Sequence, residues 1–527
     1  MTNPLQDVLN SKTILVTGTN TTANHPIIAN YIYEAVTKRG AKLIVADPRR
    51  IKLVDISSVW LRPRVGTNVA WINGLMNVII SENLQDQAYI DSRTTGFDEL
   101  KQLVAKYTPD YVEKIAGIPA KELIAAARLY ATERPGAILY AMGITQHTTG
   151  TNNVKCLAAL SMLCGNVGVA GGGVNPLRGQ NNVQGACDMG GLPNVFSGYQ
   201  PVTDEGVREK FAKAWNVSKL PDKVGLTVTE MTAVAGDKIK ALYIMGENPM
   251  LSDADVHHVE KNLAALDFLV VQDIFLTETA KLADVVLPST CFAEKDGTFS
   301  NTERKVLRVR KALEPPGEAR EDFRIIADIA AKMGYEMNYA DASAVMAEIS
   351  SVTPSYGGIS YERLEKRGLV WPCPTPEHPG TPILHIGKFT RGEGVFFPIA
   401  YQPSAELPDD EYPFVLTTGR VYEHYHTGTM TRKGSALNQL YPEALAEINV
   451  EDAKALQVKT GEYVNITSRR GSIKIKAVVS EVTDRGVAFV PFHFYESTVN
   501  NLTNPALDPI SKIPELKICA VKIEKAA

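Results

Sequence analysis

Between residues 13 and 47 the chain spells out a strand, a loop, a helix and a second strand. Thr13-Ile14-Leu15-Val16-Thr17 is a short apolar, β-branched run that ends at Gly18-Thr19-Asn20. A helical apolar pattern runs from about Pro26 to Lys38, and a second strand, Lys42 to Ala46, ends in Asp47-Pro48-Arg49. A strand–loop–helix–strand unit commits this part of the chain to a doubly wound parallel sheet. At 527 residues the whole is too long for one ordinary core, and three or four packed lobes are expected.

Further along, helical patterns reach Lys121–Arg134, a strand follows at Ala137–Ala141 and a helix from about Asn152 to Cys164. Gly165 to Gly198 is rich in glycine and asparagine and reads as a long functional loop. A second α/β portion has strands at Ala241–Ile244, Phe268–Val271 and Asp284–Leu287, with a helix near Ala254–Leu263. From Cys291 to Pro398 the pattern is irregular, with one clear helix around Phe323–Met333. Past a linker at Pro408–Tyr412, alternating runs at Phe414–Thr417, Tyr463–Thr467, Ile473–Val479 and Val487–Pro491 suggest a small β-barrel.

The composition excludes some classes. With 55 basic and 59 acidic residues the net charge is −4, so no polyanion-binding surface is expected and no nucleic-acid partner. No run is long and apolar enough for a transmembrane helix. The six cysteines, at 156, 164, 187, 291, 373 and 519, form no CxxC pair, so neither a zinc site nor a cysteine-ligated cluster is encoded in this stretch. Most are expected to be small apolar core residues, in keeping with a reducing cytoplasm.

Gly18-Thr19-Asn20 sits where a strand gives way to a helix, and backbone amides there suit an anion. It is no GxGxxG fingerprint, and taken alone it is better read as an ordinary strand–helix turn. Asp47, at the end of the next strand, stands where such folds place an acid against a ribose or base edge, or is simply a turn residue. The arrangement recurs at Met245-Gly246-Glu247-Asn248-Pro249 and Gln272-Asp273. Two α/β portions, each with a loop and a downstream acid, point to two nucleotide-like ligands or one large one.

The most specific segment is Arg178-Gly179-Gln180-Asn181-Asn182-Val183-Gln184-Gly185-Ala186-Cys187-Asp188-Met189-Gly190. Its glycines permit close backbone approach, its amides bond in both senses, and Arg178 offers a planar fork for a carboxylate. Continued to Leu192-Pro193-Asn194 and Gly198-Tyr199, it resembles the corresponding loop of molybdopterin formate dehydrogenases. The resemblance extends in order through Asp47-Pro48-Arg49, Tyr140 to Gln146, Ala283 to Pro288, Asn301 to Arg304, Thr418-Gly419-Arg420 and Asp508 to Lys512.

That resemblance implies two doubly wound α/β dinucleotide-binding portions plus a carboxy-terminal six-stranded β-barrel of double-psi type. The divisions are expected at residues 1–180, 181–290, 291–404 (an irregular mixed segment) and 405–527. It implies a bis-molybdopterin guanine dinucleotide carrying molybdenum or tungsten, and a 4Fe–4S cluster. One dinucleotide would be contacted by Gly18, Asn20, Asn24, Asp47, Arg49, Gly66 and Asn68, and the other by Gly246, Glu247, Gln272, Asp273, Ser289 and Asp322. Met142, Gly143 and Gln146 would line the floor, with Gly179 in the substrate loop, and Arg420, His424, Asn500 and Lys517 would close over the pterins. Asp322 is also placed to cap the helix beginning near Phe323. Arg178 is expected to bind formate and Gln180 to tune the metal's ligands or the pterin. The implied reaction is formate to carbon dioxide, with electrons passing to a ferredoxin, a deazaflavin, an NAD-linked module or a hydrogenase.

Two positions depart from the family pattern: Ala23 replaces an acid, and Leu516 replaces the tyrosine of Pro-Glu-Tyr-Lys. The family also needs a metal-ligating cysteine or selenocysteine followed by histidine, and upstream cysteines for the cluster; no cysteine here precedes a histidine. Met1-Thr2-Asn3 resembles an internal stretch, so those parts are expected in a preceding segment, and the chain alone is not expected to oxidise formate. His25, His147, His424 and His426 are not expected to serve as replacement ligands or bases. A non-catalytic pterin-binding scaffold of an electron-transfer complex is the competing class. An enzyme acting on another oxyanion or a formyl-bearing cofactor is a further alternative.

Overall fold

The structure is a computed structural model that describes residues 1–526. The chain forms two compact units: residues 1–177 with 251–257 and 383 onward, and residues 178–250 with 258–382.

The first unit begins with a parallel sheet of Thr13–Thr17 (β1), Lys42–Ala46 (β2), Val59–Leu61 (β3), Gly136–Tyr140 (β4) and Val174–Pro176 (β5). Its order is β3-β2-β1-β4-β5, so the chain moves outward from β1 and then returns to the other side of it. That reversal leaves a crevice beyond the carboxyl ends of β1 and β4, where open α/β sheets place their ligands. All five residues of β1 and of β4 are buried, as expected of a sheet covered on both faces. Period-two alternation divides them. Leu15 joins the buried cluster that holds Trp71, Leu75, Ile79 and Leu123, whereas Ile14 and Val16 join the one that holds Ile28 and Ile32.

Pro26–Arg39 (α1) starts with proline in its first turn and stops at Gly40, whose φ of 78° ends the helix in the left-handed region. Asn68–Ser81 (α2) is buried except at Asn77 and Ser81, so its polar face is only a narrow line and its sequence is apolar nearly throughout. Ala120–Thr132 (α3), the short helix Met142–Thr145 (α4) and Gly150–Leu163 (α5) lie within a residue or two of expectation where one was made.

Gly165–Gly198, expected as one loop, contains β5 and a short helix, Val183–Asp188 (α6). Both depend on partners far away in sequence, which is why glycine content alone suggested loop. In the second unit, Ala241–Met245 (β6), Phe268–Asp273 (β7) and Val285–Pro288 (β8) form a parallel sheet in the order β8-β7-β6. The stretch expected to be irregular begins with an antiparallel hairpin, Gly297–Ser300 (β9) and Lys305–Val309 (β10). The helix expected around 323–333 is Asp322–Lys332 (α7), and a second, Ala342–Val352 (α8), follows it.

The closed barrel returns to the first unit. Phe414–Gly419 (β11), Leu445–Asn449 (β12), Tyr463–Thr467 (β13), Ser472–Ser480 (β14), Val487–Pro491 (β15) and Cys519–Lys525 (β16) close in the order β11-β15-β12-β14-β13-β16. Pairs β11/β15 and β12/β14 run parallel and the rest antiparallel, giving the expected six-stranded barrel. Two buried barrel acids tie it to α5. Asp508 accepts from Thr151 N at 2.9 Å and Oγ1 at 2.8 Å, and Glu515 from Thr148 N at 3.2 Å and Oγ1 at 3.0 Å. Acids at a helix amino terminus complete its unpaired amides and favour its dipole. Four of the six cysteines are buried, as expected of core thiols.

Candidate functional site

Beyond the ends of β1 and β4 two loops touch through glycine. Gly143 N donates to Gly18 O at 3.0 Å, and a Cβ on Gly18 would lie 2.7 Å from the Gly143 carbonyl carbon. With φ at +57°, Gly18 turns the chain sharply into Thr19 and Asn20 and the single helical turn Thr21–Asn24. There the buried Thr19 Oγ1, Thr21 Oγ1 and Asn24 Oδ1 have no hydrogen-bond partner, while Asn20 Oδ1 accepts from Thr22 Oγ1 at 3.1 Å. Buried polar atoms are normally paired, so three within six residues mark a place made for a polar ligand.

At the end of β2, Asp47 is buried and its Oδ1 accepts from Arg49 N at 2.9 Å. Burial raises the Asp47 carboxyl to about 6 against the opposing pull of Arg49 and Lys517. Arg49 lies over the Phe489 ring at 3.5 Å and pairs with Glu447 at 2.7 Å, and its Nε stays unpartnered. Lys517 Nζ donates to Thr418 O at 2.7 Å. Burial, then the charges of Arg420 and Arg49, push this lysine down to about 7. Arg420 reaches Met142 Sδ at 3.8 Å, is lowered to about 10 by burial, and also has an unpartnered Nε. Cations held this close against desolvation and mutual repulsion suit an incoming polyanion.

His147 Nε2 bonds Gly143 O at 3.0 Å while its buried Nδ1 is unpartnered. Burial pushes His147 and His426 to about 4 and His493 to about 3. Each is thus lowered from an unfolded value near 6.5, so stability is full above that pH and is lost as pH falls towards 4. At pH 5 His147 alone is expected to cost about 2 kcal/mol. Denaturant unfolding at pH 7.5 and pH 5 should show a smaller difference in His147→Gln than in the parent.

The other expected residues of this unit are more committed. Gly66 has φ +86° and a Cβ there would meet Ser404 Oγ at 2.5 Å; Asn68 Oδ1 accepts from Trp71 Nε1 at 3.2 Å. Gln146 ends α4 with its amide on Met142 O at 2.9 Å. Both His424 ring nitrogens are engaged, with Thr431 Oγ1 at 3.2 Å and Tyr441 O at 2.7 Å. Asn500 Nδ2 donates to Leu251 O at 2.8 Å.

In the second unit the ends of β6, β7 and β8 bring Gly246, Gln272, Asp273 and Ser289 to one sheet edge. Gly246 N donates to Gln272 O at 2.9 Å, and Gly246, at φ +63°, faces open space. Glu247 follows it, half-buried. Asp273 Oδ1 accepts from Ile274 N at 2.6 Å, and burial raises its carboxyl. Beside the buried Ser289, Thr290 Oγ1 has no partner. Asp322 lies in the first turn of α7, where Glu321 takes the capping position. Its carboxylate accepts from Gln272 Nε2 at 2.8 Å and pairs with Lys295.

The 178–199 segment belongs to the same unit. Arg178 N donates to Thr302 Oγ1 at 3.0 Å, which joins two of the segments singled out in the sequence. Gly179 and Gln180 are half-buried, and Gln180 O receives Val183 N at 3.4 Å. Asp188 and Tyr199 had no separate role in the sequence reading, although both lie in its most specific motif; Tyr199 Oη donates to Asp188 Oδ1 at 2.8 Å. Among the described residues no group of three or more His, Cys, Asp or Glu is placed to hold a metal ion. No helix there is long and apolar enough to cross a membrane.

Residues 1–332 match the family profile described as Molybdopterin oxidoreductase, and residues 414–520 that described as Molydopterin dinucleotide binding domain. The chain is 54% identical over 529 residues to the F420-dependent formate dehydrogenase subunit alpha of Methanocaldococcus jannaschii, covering 100% of this chain and 78% of that protein. It is 41% identical to formate dehydrogenase H of Escherichia coli, covering 100% of this chain and 74% of that one. Acetylene hydratase from Pelobacter acetylenicus shares the fold, with a TM-score of 0.77 at 22% identity over 99% of this chain and 81% of its own. The unpartnered polar atoms and crowded cations at the sheet ends fit a charged pterin dinucleotide, and the chain belongs to the molybdopterin oxidoreductase family, among its formate dehydrogenase alpha subunits.

Proposed function

We propose that the chain is the greater part of the catalytic subunit of a formate dehydrogenase, which when complete carries out HCOO⁻ → CO2 + H⁺ + 2e⁻ or its reverse. The observation that carries this reading is the Arg178 segment, whose arginine is anchored through its own backbone to Thr302 and set beside Tyr199 and Asp188. A guanidinium matches both oxygens of a small carboxylate and leaves the C–H bond turned away for oxidation. Gln180, two residues on, adjusts the surroundings of the metal. When bound, the bis-molybdopterin guanine dinucleotide with molybdenum or tungsten supplies the two-electron chemistry, and the chain orients the substrate.

In this reading residues 1–180 hold one dinucleotide through Gly18, Asn20, Asn24, Asp47, Arg49, Gly66 and Asn68. Residues 181–290 hold the other through Gly246, Glu247, Gln272, Asp273 and Ser289, with Asp322 from the 291–404 segment. Met142, Gly143, Gln146 and Gly179, and from residues 405–527 Arg420, His424, Asn500 and Lys517, complete the contacts. The unpartnered Thr19, Thr21, Asn24, Arg49 and Arg420 atoms support these assignments. Lys517→Met is expected to lower cofactor retention about tenfold by removing a buried cation, read as metal per chain after gel filtration.

The same reading includes one 4Fe–4S cluster, with its ligands in an amino-terminal segment, and a cytoplasmic location, which the six unpaired cysteines favour. The relatives named F420-dependent favour a deazaflavin among the electron acceptors. Anaerobic assay of the complete, cofactor-loaded enzyme tests the function. Dye reduction with formate is the expected result. Nitrate reduction without formate turnover would replace the substrate, and bound cofactor with neither activity would favour a pterin-binding scaffold.

A further inference from the structure

The substrate segment is built around a buried acid that has no part in the chemistry above. Asp188, the last residue of α6, is 0% exposed, and its carboxylate accepts four hydrogen bonds from neutral donors. Gln184 Nε2 and Tyr199 Oη, each at 2.8 Å, meet Oδ1. Tyr356 Oη at 2.7 Å and Trp371 Nε1 at 2.6 Å meet Oδ2. Four donors converging on one acceptor-only group offset the cost of burying it, and the loss of any one leaves the buried charge less well compensated. Arg304, 2% exposed and bonded to Thr381 O at 3.0 Å and Pro382 O at 2.8 Å, adds a positive charge close by.

The hub leads back to Arg178 by two routes. Tyr356 Oη is bonded to Ser300 Oγ at 2.9 Å, and Ser300 N donates to Asn182 Oδ1 at 2.9 Å. Two residues beyond Ser300, Thr302 Oγ1 receives Arg178 N at 3.0 Å. On the other side, Arg178 Nη1 lies 4.0 Å from Sγ of Cys187, the residue before Asp188. The Tyr199 phenol, pushed up by burial and by Asp188, also feels the opposing charge of Arg178. Tyr199 has φ +60° and follows Gly198 at φ +69°. A left-handed tyrosine costs about 1 kcal/mol, so the turn relies on its bond to Asp188 to persist.

We propose that Asp188 is the positioning residue of the substrate segment. By gathering Gln184, Tyr199, Tyr356 and Trp371, it holds the backbone that presents Arg178 to a small carboxylate. The assignment rests on the formate reading above and concerns how that site is kept in shape. Asp188 itself touches neither substrate nor cofactor in this role.

In the loaded enzyme, Asp188→Asn preserves volume but turns an NH2 group towards two donors. KM for formate is expected to rise about tenfold or more while kcat changes less than about threefold, because uniform binding is what a misplaced Arg178 loses. Metal and pterin content should match the parent. Glu348, in the same unit, also accepts from a tryptophan (Trp215 Nε1, 3.0 Å) and a tyrosine (Tyr339 Oη, 2.6 Å). Glu348→Gln is therefore the control and should leave KM within about twofold. Tyr199→Phe, at a side chain 39% exposed, removes one donor with little risk to folding and should raise KM about threefold.

An unchanged KM in Tyr199→Phe and in Asp188→Asn, or a fall in kcat at constant KM, overturns the positioning role. If Arg178→Ala still abolishes turnover in that case, the formate reading stands. A parent enzyme with no formate turnover at all removes the reading, and the proposal with it.

Discussion

Arg178→Ala is expected to lower kcat/KM for formate about a thousandfold, equivalent to about 4 kcal/mol of lost transition-state stabilisation. Two parallel N–H···O bonds to an ionised carboxylate are among the strongest polar contacts available, and truncation leaves the anion without its partner. Arg178→Lys restores a charge but not the fork, so a loss of about tenfold to a hundredfold is expected. Because Arg178 is anchored through its backbone amide on Thr302, neither variant removes that contact, and cofactor content should be unchanged. Steady-state kinetics with formate, alongside metal analysis of the same samples, decide the matter. A variant that keeps formate turnover with a normal KM removes Arg178 from substrate binding.

The second large effect is on the fold itself. Gly18→Ala places a methyl group 2.7 Å from the Gly143 backbone at a residue whose φ is +57°. The left-handed conformation and the collision add to a loss of about 3 kcal/mol, since neither partner is a flexible side chain. Gly40 separates the two contributions. It has φ +78° but nothing within 4 Å of an added Cβ, so Gly40→Ala should cost only about 1 kcal/mol. Denaturant unfolding of the three proteins measures the difference. The loaded Gly18→Ala enzyme should also lose cofactor, because the displaced loop carries the unpartnered Thr19, Thr21 and Asn24 atoms. Equal destabilisation at the two glycines would mean that the Gly18–Gly143 approach has more room than its geometry indicates.

Much of the frame was legible along the chain. β1, β2, β6 and β7 are short runs of β-branched and apolar residues bounded by turn residues, and such local patterns declare themselves within a few positions. Gly18, Asp47 and Gly246 follow β1, β2 and β6, and Asp273 ends β7, so the parallel arrangement already placed these residues at carboxyl ends of strands. Arg178 stood out because its neighbours form an unusual run of glycine and side-chain amides.

Other elements are not local properties. Leu445–Asn449 reads Leu-Ala-Glu-Ile-Asn, a composition that favours helix, and becomes a strand only by pairing with β14 and β15. The burial of α2 on all but one narrow face left little of the polar stripe that would have announced it. Asp322 had the look of a helix cap, but Gln272, 50 residues earlier, claims its carboxylate.

By itself, then, the sequence determined which segments form parallel α/β layers, which loops end their strands and which motif carries a carboxylate-matching arginine. All of these depend on residues within one turn or one strand of each other. Tertiary structure alone decided that Gly18 and Gly143 meet backbone to backbone and that Lys517 is crowded by Arg49 and Arg420. It also decided that Asp188 is held by Tyr356 and Trp371, 168 and 183 residues away. Hydrogen bonds and charges act over a few ångströms whatever the separation along the chain, so these meetings exist only once the two ends of the contact have been folded together.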